Sequence, residues 1–334
     1  FTWRDGDRVV RFGRGAVDGF EELLGAGYLL LTTERAAAQA PAVVAAAGAT
    51  LHVPPGRVDE VAAGLLDAVR ASRGATTSLV ALGGGRVIDT AKALGAATGR
   101  AVAAIPTTLS SAEMTWVHRH VAGLEPVPAF VRPKVVLNDP ALSASQPPAE
   151  LAASAANSLG HAVEGAATTL TSPVPRLACR EAARLIGAAF EDERAPDRDA
   201  LALASLLSGY GIDAAWYGMH HVLAQTLVRE AGAGHGPANA TLLPHTMRAL
   251  ERRGLEVVAA PALAARLARL AGAERLTDIG IDADDAALAR CAEVAAARRE
   301  LGNTPPPAER AEIRAIYAAA RDGIPGSGDR RMDE

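Results

Sequence analysis

Two rhythms of apolar residues divide the chain. Early on, continuous apolar runs at 28–32 (YLLLT), 77–82 (TSLVAL) and 101–105 (AVAAI) read as strands covered on both faces, with shorter extended segments at 8–12, 51–53 and 135–137. Between them, 17–24, 36–47, 58–72 and 87–97 carry helical spacing; the segment 58–72 repeats apolar residues at 58, 61, 65, 66 and 69. Strand and helix in alternation predict a doubly wound α/β layer. From Pro147-Pro148 onward the spacing is helical, at 149–169, 176–190 and 200–228, then more weakly at 255–272, 284–300 and 307–321. The expected organisation is an α/β domain over 1–146 and an all-helical domain over 147–334. The polar, glycine-rich tail 323–334 is expected to be mobile.

Composition narrows the class. Of 334 residues, 49% are hydrophobic and 22% charged, the balance of a globular chain with a large core. Lys and Arg number 34 against 38 Asp and Glu, a net charge of −4, which argues against a nucleic-acid partner. Two cysteines, Cys179 and Cys291, make no disulfide framework. No apolar run nears the roughly 20 residues that span a bilayer. No leader-like pattern opens the sequence, so the cytoplasm is the simplest expected compartment.

Two turns carry candidate chemistry. Gly83-Gly84-Gly85-Arg86-Val87-Ile88-Asp89 lies between a buried strand and a helix. Glycine lets backbone approach a ligand, and a helix N-terminus offers free N–H groups and partial positive charge, which together suit a pyrophosphate. The three glycines are consecutive, so this is not the spaced G-x-G-x-x-G fingerprint. The second turn, 105–111, brings the hydroxyls of Thr107 and Thr108 to the end of the next strand, where ligands of open α/β sheets bind. After the strand at 28–32, Thr33 and Glu34 are placed to reach an adenosine ribose. Glu34 there favours NAD, whereas Arg35 suits a 2′-phosphate.

The helical half carries a histidine constellation. Asn157 and His161 are four apart on one helix and share a face, with Glu164 near it; His221 sits on another helix, and His235 in the glycine-rich loop 231–236. Imidazoles converging from such segments bind a metal, a carboxylate or a reacting carbonyl.

In order along the chain stand GGGRVIDTAKA, IPTTLSSAEMT, NDPALSASQPP, SLGHAVEGA, HGPANATLLPH and Gly302-Asn303-Thr304-Pro305. Over about 8–322 this series resembles the iron-containing (group III) alcohol dehydrogenase family, which includes the maleylacetate reductases. The resemblance implies a nucleotide-binding α/β domain, a helical domain, and an active site in the cleft between them, with His161, His221 and His235 facing the Gly83–Gly85 turn. It implies NAD(H) or NADP(H) held by Gly83, Gly84, Gly85, Arg86, Asp89, Thr107, Thr108, Thr33 and Glu34. In metal-dependent members an Asp and three His hold a divalent ion, and the matching positions here are Asn157, His161, His221 and His235. An amide supplies no compensating charge, so iron or zinc is not favoured, and Asn at this position is typical of the maleylacetate reductase branch. Two departures stand out: Gln225 where relatives carry a further His, and Arg86 where a Ser commonly follows the glycines.

The resemblance therefore implies an NAD(P)H-dependent reductase of a small oxo-acid, with His161, His221, His235, Asn157 and Gln225 at the reacting centre and a homodimer as a possible assembly. Two other outcomes follow from the same residues: a metal-dependent alcohol dehydrogenase using water as a fourth ligand, or a scaffold turned to lyase, cyclase or binding duty.

Overall fold

The computed structural model describes residues 1–72, 78–125, 130–282 and 284–323. Thr77, the first residue of one expected strand, and 324–334 of the polar tail lie outside the described residues. The chain packs into two compact units, one of 1–146 with 194–209, the other of 147–193 with 210–334.

The first unit is built on a seven-stranded sheet. Its elements are β1 (Thr2–Asp5), β2 (Arg8–Phe12), α1 (Glu21–Leu24), β3 (Leu29–Thr32), α2 (Glu34–Ala37), α3 (Pro41–Ala45), β4 (Ala49–His52), α4 (Val58–Ala71), β5 (Ser78–Gly83), α5 (Gly85–Thr98), β6 (Ala101–Pro106) and β7 (Val135–Asn138). The strand order is β1-β2-β7-β6-β5-β3-β4, parallel throughout except for β1 against β2. Side-chain alternation splits the core in two. Leu29, Leu31, Leu79, Ala81, Val102 and Ala104 face α4 and α5. The intervening Leu30, Val80, Leu82, Ala103 and Ile105 pack with Phe20, Tyr28 and Val43 on the other side. Both faces are covered, as the apolar runs require. The segment 194–209 joins this unit through Arg198, which donates to the carbonyls of Ser143 and Gln146, and through Ser205, whose carbonyl accepts from Ser111 Oγ at 2.9 Å.

The second unit is helical: α6 (Pro148–Ala167), α7 (Pro173–Ala189), α8 (Arg198–Ala215, of which 210–215 belong here), α9 (Met219–Glu230), α10 (His235–Arg252), α11 (Pro261–Leu270), α12 (Asp285–Ala296) and α13 (Arg310–Asp322). α6 is at its centre, buried from Leu151 to Ala167 except Ser154, and packs on α7, α9, α10 and α11.

Several expected elements are corrected. The helix expected over 17–24 is only α1, because turns fill 13–20. That expected over 36–47 is two short helices, since Pro41 lacks the N–H to continue one. The helix expected over 200–228 breaks at 216–218, where Trp216 takes φ +58. The helix expected over 255–272 starts only at Pro261. That over 284–300 ends at Ala296 and is followed by a 3-10 turn, Arg299–Asn303. β1 is an unforeseen edge strand, and α10 an unforeseen helix. His235 is therefore not on a loop; it is the first residue of α10, whose N-cap is Gly234.

Candidate active site

In the first unit, β5 and β6 end side by side. Gly83 pairs with Pro106, and the Thr107 amide donates to the Gly83 carbonyl at 3.0 Å. A Cβ on Gly84 would stand 3.0 Å from the Thr108 side chain, and one on Gly85 2.9 Å from Ser110 Cβ. The glycines thus let the two turns touch. Gly84, at the N-cap of the 14-residue α5, has no side chain with which to cap the first N–H groups of the helix. Strand β3 ends beside them, Thr32 pairing with Leu82. Thr33 Oγ1 accepts from the Ala36 amide at 3.3 Å and so caps α2, while Glu34 and Arg86 are exposed. Thr107 is buried and Thr108 half-buried. This cradle fits a dinucleotide pyrophosphate: the N-terminal amides of a helix, no side chains on Gly84 or Gly85, and hydroxyls alongside.

Asp89 has a partner of its own. Its Oδ1 accepts from Lys92 Nζ at 2.8 Å, and the fully buried Lys92 also donates to the carbonyls of Ala112 and Val117 and to Thr115 Oγ1. The ammonium thereby pins the end of the second turn. Glu113, two residues past that turn, is fully buried, and its two carboxyl oxygens meet no hydrogen-bond partner among the described residues. Burial pushes its carboxyl up to about 7, against the downward pull of its own backbone and of Lys92.

In the second unit, the His161 ring from α6 and the His221 ring from α9 stack, with centroids 4.9 Å apart and planes inclined by 12°. Glu164, one turn after His161 and fully buried, grips the start of α9. Its Oε1 accepts from the His220 amide at 2.5 Å, and its Oε2 from the His221 amide at 3.1 Å and from His221 Nδ1 at 2.6 Å. One carboxyl thus caps the helix and fixes the ring, leaving His221 Nε2 without a hydrogen-bond partner among the described residues. His220 turns the other way, its Nδ1 3.0 Å from Thr246 Oγ1 on α10. A Cβ on Gly160 would lie 2.8 Å from His220 Nε2, so glycine admits that ring against α6. Burial holds His220 and His221 down at about 3 and puts His161 well below its usual range, while it pushes Glu164 upward. Desolvation thus disfavours the protonated form of all three rings. Asn157 is buried one turn before His161. His235 is exposed, yet near enough for its charge to oppose protonation of His161 and His221.

Gln225 lies one turn beyond His221 and meets Arg298, whose Nη2 is 3.4 Å from Gln225 Oε1, 3.0 Å from the Tyr217 hydroxyl and 3.0 Å from Glu300 Oε1. The Tyr217 ring stands 6.1 Å from His221. The Gly302–Pro305 motif anchors this corner: Asn303 Nδ2 donates to the Tyr217 carbonyl at 2.8 Å, and Thr304 Oγ1 accepts from the Met219 amide at 3.2 Å. Glu164 is near the expected face, and the His220-His221 doublet is visible in sequence. Tyr217 and Arg298 carried no signal as site residues.

The donor set offers a divalent ion no anionic ligand. His161 and His221 supply imidazoles alone, and His221 Nε2 is left open by the Glu164 carboxylate on Nδ1. Asn157 adds no charge, and among the described residues no group of three or more His, Cys, Asp or Glu is placed to hold a metal. No helix among them is long and apolar enough to cross a membrane.

Comparison with known proteins agrees with this architecture. The model of the Fe-containing alcohol dehydrogenase family, C-terminal, matches residues 151–272, and that of iron-containing alcohol dehydrogenase matches 30–115. A maleylacetate reductase of Burkholderia cepacia is 30% identical over 95% of this chain and 96% of its own. Maleylacetate reductase 2 of Cupriavidus pinatubonensis is 34% identical over 68% of this chain, a match that spans only 62% of that relative. The crystal structure of the Agrobacterium tumefaciens maleylacetate reductase superposes with a TM-score of 0.79 at 26% identity, covering 97% of this chain and 98% of that one. The chain belongs to the iron-containing alcohol dehydrogenase family of NAD(P)-dependent oxidoreductases.

Proposed function

We propose that the chain reduces a small oxo-acid, in the manner named for its maleylacetate reductase relatives, without a metal at the position of Asn157. The observation that carries this is the buried Asn157 one turn before His161, which brings no charge to balance a divalent ion, beside a His161–His221 pair locked by Glu164 and able to hydrogen-bond a substrate oxygen. Gly83, Gly84 and Gly85 hold the cofactor pyrophosphate on the α5 amides, with Thr107 and Thr108 beside it and Thr33, Glu34 and Arg86 toward the adenosine side. When bound, reduced nicotinamide supplies the hydride. Asp89 acts through Lys92, keeping the second turn in place. His161 and His221 wall the substrate with neutral rings. His235, the exposed ring, exchanges the proton that completes the reduction with solvent.

The test is NADH and NADPH oxidation by the purified chain with unsaturated oxo-acids, saturated oxo-acids and simple aldehydes. Turnover confined to the oxo-acids is expected. A preference for aldehydes that appears only on adding iron or zinc contradicts the reading.

A further inference from the structure

We propose that Arg298 anchors a carboxylate of the substrate; the inference rests on the oxo-acid reading above and names which group recognises the acid. A guanidinium has two edges, each able to take one carboxylate. In this molecule Glu300 occupies the Nε–Nη2 edge, with Nε to Oε2 at 3.1 Å and Nη2 to Oε1 at 3.0 Å. Nη1, on the other edge, is buried and meets no acceptor among the described residues. A buried cationic donor without an acceptor is costly, and an incoming carboxylate relieves that cost.

Position supports the assignment. Arg298 lies between α12 and the 3-10 turn Arg299–Asn303, which packs against α9. Its Nη2 reaches Gln225, one helical turn from His221 on that helix, and the Tyr217 hydroxyl, whose ring borders His221. The side chain is only 18% exposed, so its charge is little screened by water, and the Glu300 side chain at 16% keeps it neutralised while the site is empty. Gln225 suits this neighbour. Its amide oxygen accepts from the guanidinium at 3.4 Å, whereas a protonated imidazole there would face a like charge. The site therefore places one unsatisfied guanidinium donor near the imidazoles, which favours a carboxylate over an uncharged carbonyl compound.

The experiment is calorimetric titration of maleate, with dimethyl maleate as the uncharged control, into the NAD(P)⁺-bound full chain and its Arg298→Met and Glu300→Gln variants. The parent binds maleate and not the ester. Arg298→Met weakens maleate by about 10- to 100-fold, the effect of losing a hydrogen bond to a charged group, while cofactor affinity is unchanged. Glu300→Gln, which frees the second edge, tightens maleate. Equal maleate affinity in parent and Arg298→Met overturns the proposal, as does a parent that binds acid and ester alike or binds neither. Should maleate binding depend on Arg298 while no oxo-acid is reduced, the anchor stands and the reductase reading fails.

Discussion

At the Gly83–Gly85 turn the groups proposed to recognise the cofactor are backbone amides, and a side chain on Gly84 or Gly85 would press on Thr108 or Ser110. At the His161–His221 cluster the groups proposed to act are side chains, and backbone amides hold the carboxyl that orients His221. The turn is local, finished within a few residues of strand and helix. The cluster is assembled from α6, α9, α10 and the segment before Asn303, and one glycine, Gly160, makes room for one of its rings. Substitution should therefore act differently on the two: at the turn on ligand binding, at the cluster on stability and turnover.

The largest effect expected is at the turn. Gly84→Val places a branched side chain against Thr108 and over the helix amides, and abolishes measurable NAD(P)H binding in a fluorescence titration while far-ultraviolet circular dichroism stays that of the parent. Unchanged affinity would leave the glycines with a packing role alone. At the cluster, Glu164→Ala strands two backbone amides and the His221 Nδ1 in the interior, a loss of about 3 kcal/mol or more. Urea denaturation should register it, and Glu164→Gln should lose less, because its amide oxygen still caps α9. Gly160→Ala drives a methyl into the His220 ring and costs about 1–3 kcal/mol with cofactor affinity intact.

Smaller and opposite pH dependences separate the two regions further. His220 and His221 are held at about 3 and His245 at about 4, below the ordinary 6.5. The unfolded chain takes up those protons first, so their contribution is complete above about pH 6.5 and is lost as pH falls toward 3. Glu113 is raised from 4.5 to about 7, so the unfolded chain releases its proton first and stability is lost as pH rises between those values. Glu113→Gln should remove the alkaline loss and leave the acid loss unchanged, as followed by denaturant midpoints at pH 5 and pH 8.

Much of the first unit was legible because a strand covered on both faces must be continuously apolar, as β3, β5 and β6 are. Its glycine triplet was equally plain, three consecutive glycines between a strand and a helix where any side chain would crowd Val87, Thr108 or Ser110. The helical half was harder. α10 hides behind Pro237 and Pro244, which read as breakers, although proline is tolerated in a first helical turn and this helix carries the second in its interior. The α8–α9 break hides in Trp216 and Tyr217, which keep the apolar rhythm while Trp216 leaves helical geometry. Asn157 and His161 stand out at helical spacing and His221 through the family resemblance, whereas Arg298 meets Gln225 across 73 residues, and no local pattern encodes that contact.

The most direct test of the account is oxo-acid reduction by protein purified in chelator and assayed with NAD(P)H before and after titration with iron and zinc. The account predicts full turnover in the stripped protein, no gain on adding either metal, and loss of turnover in His221→Ala with cofactor affinity preserved. One tightly held metal per chain, with activity lost on its removal and restored on its return, would contradict it.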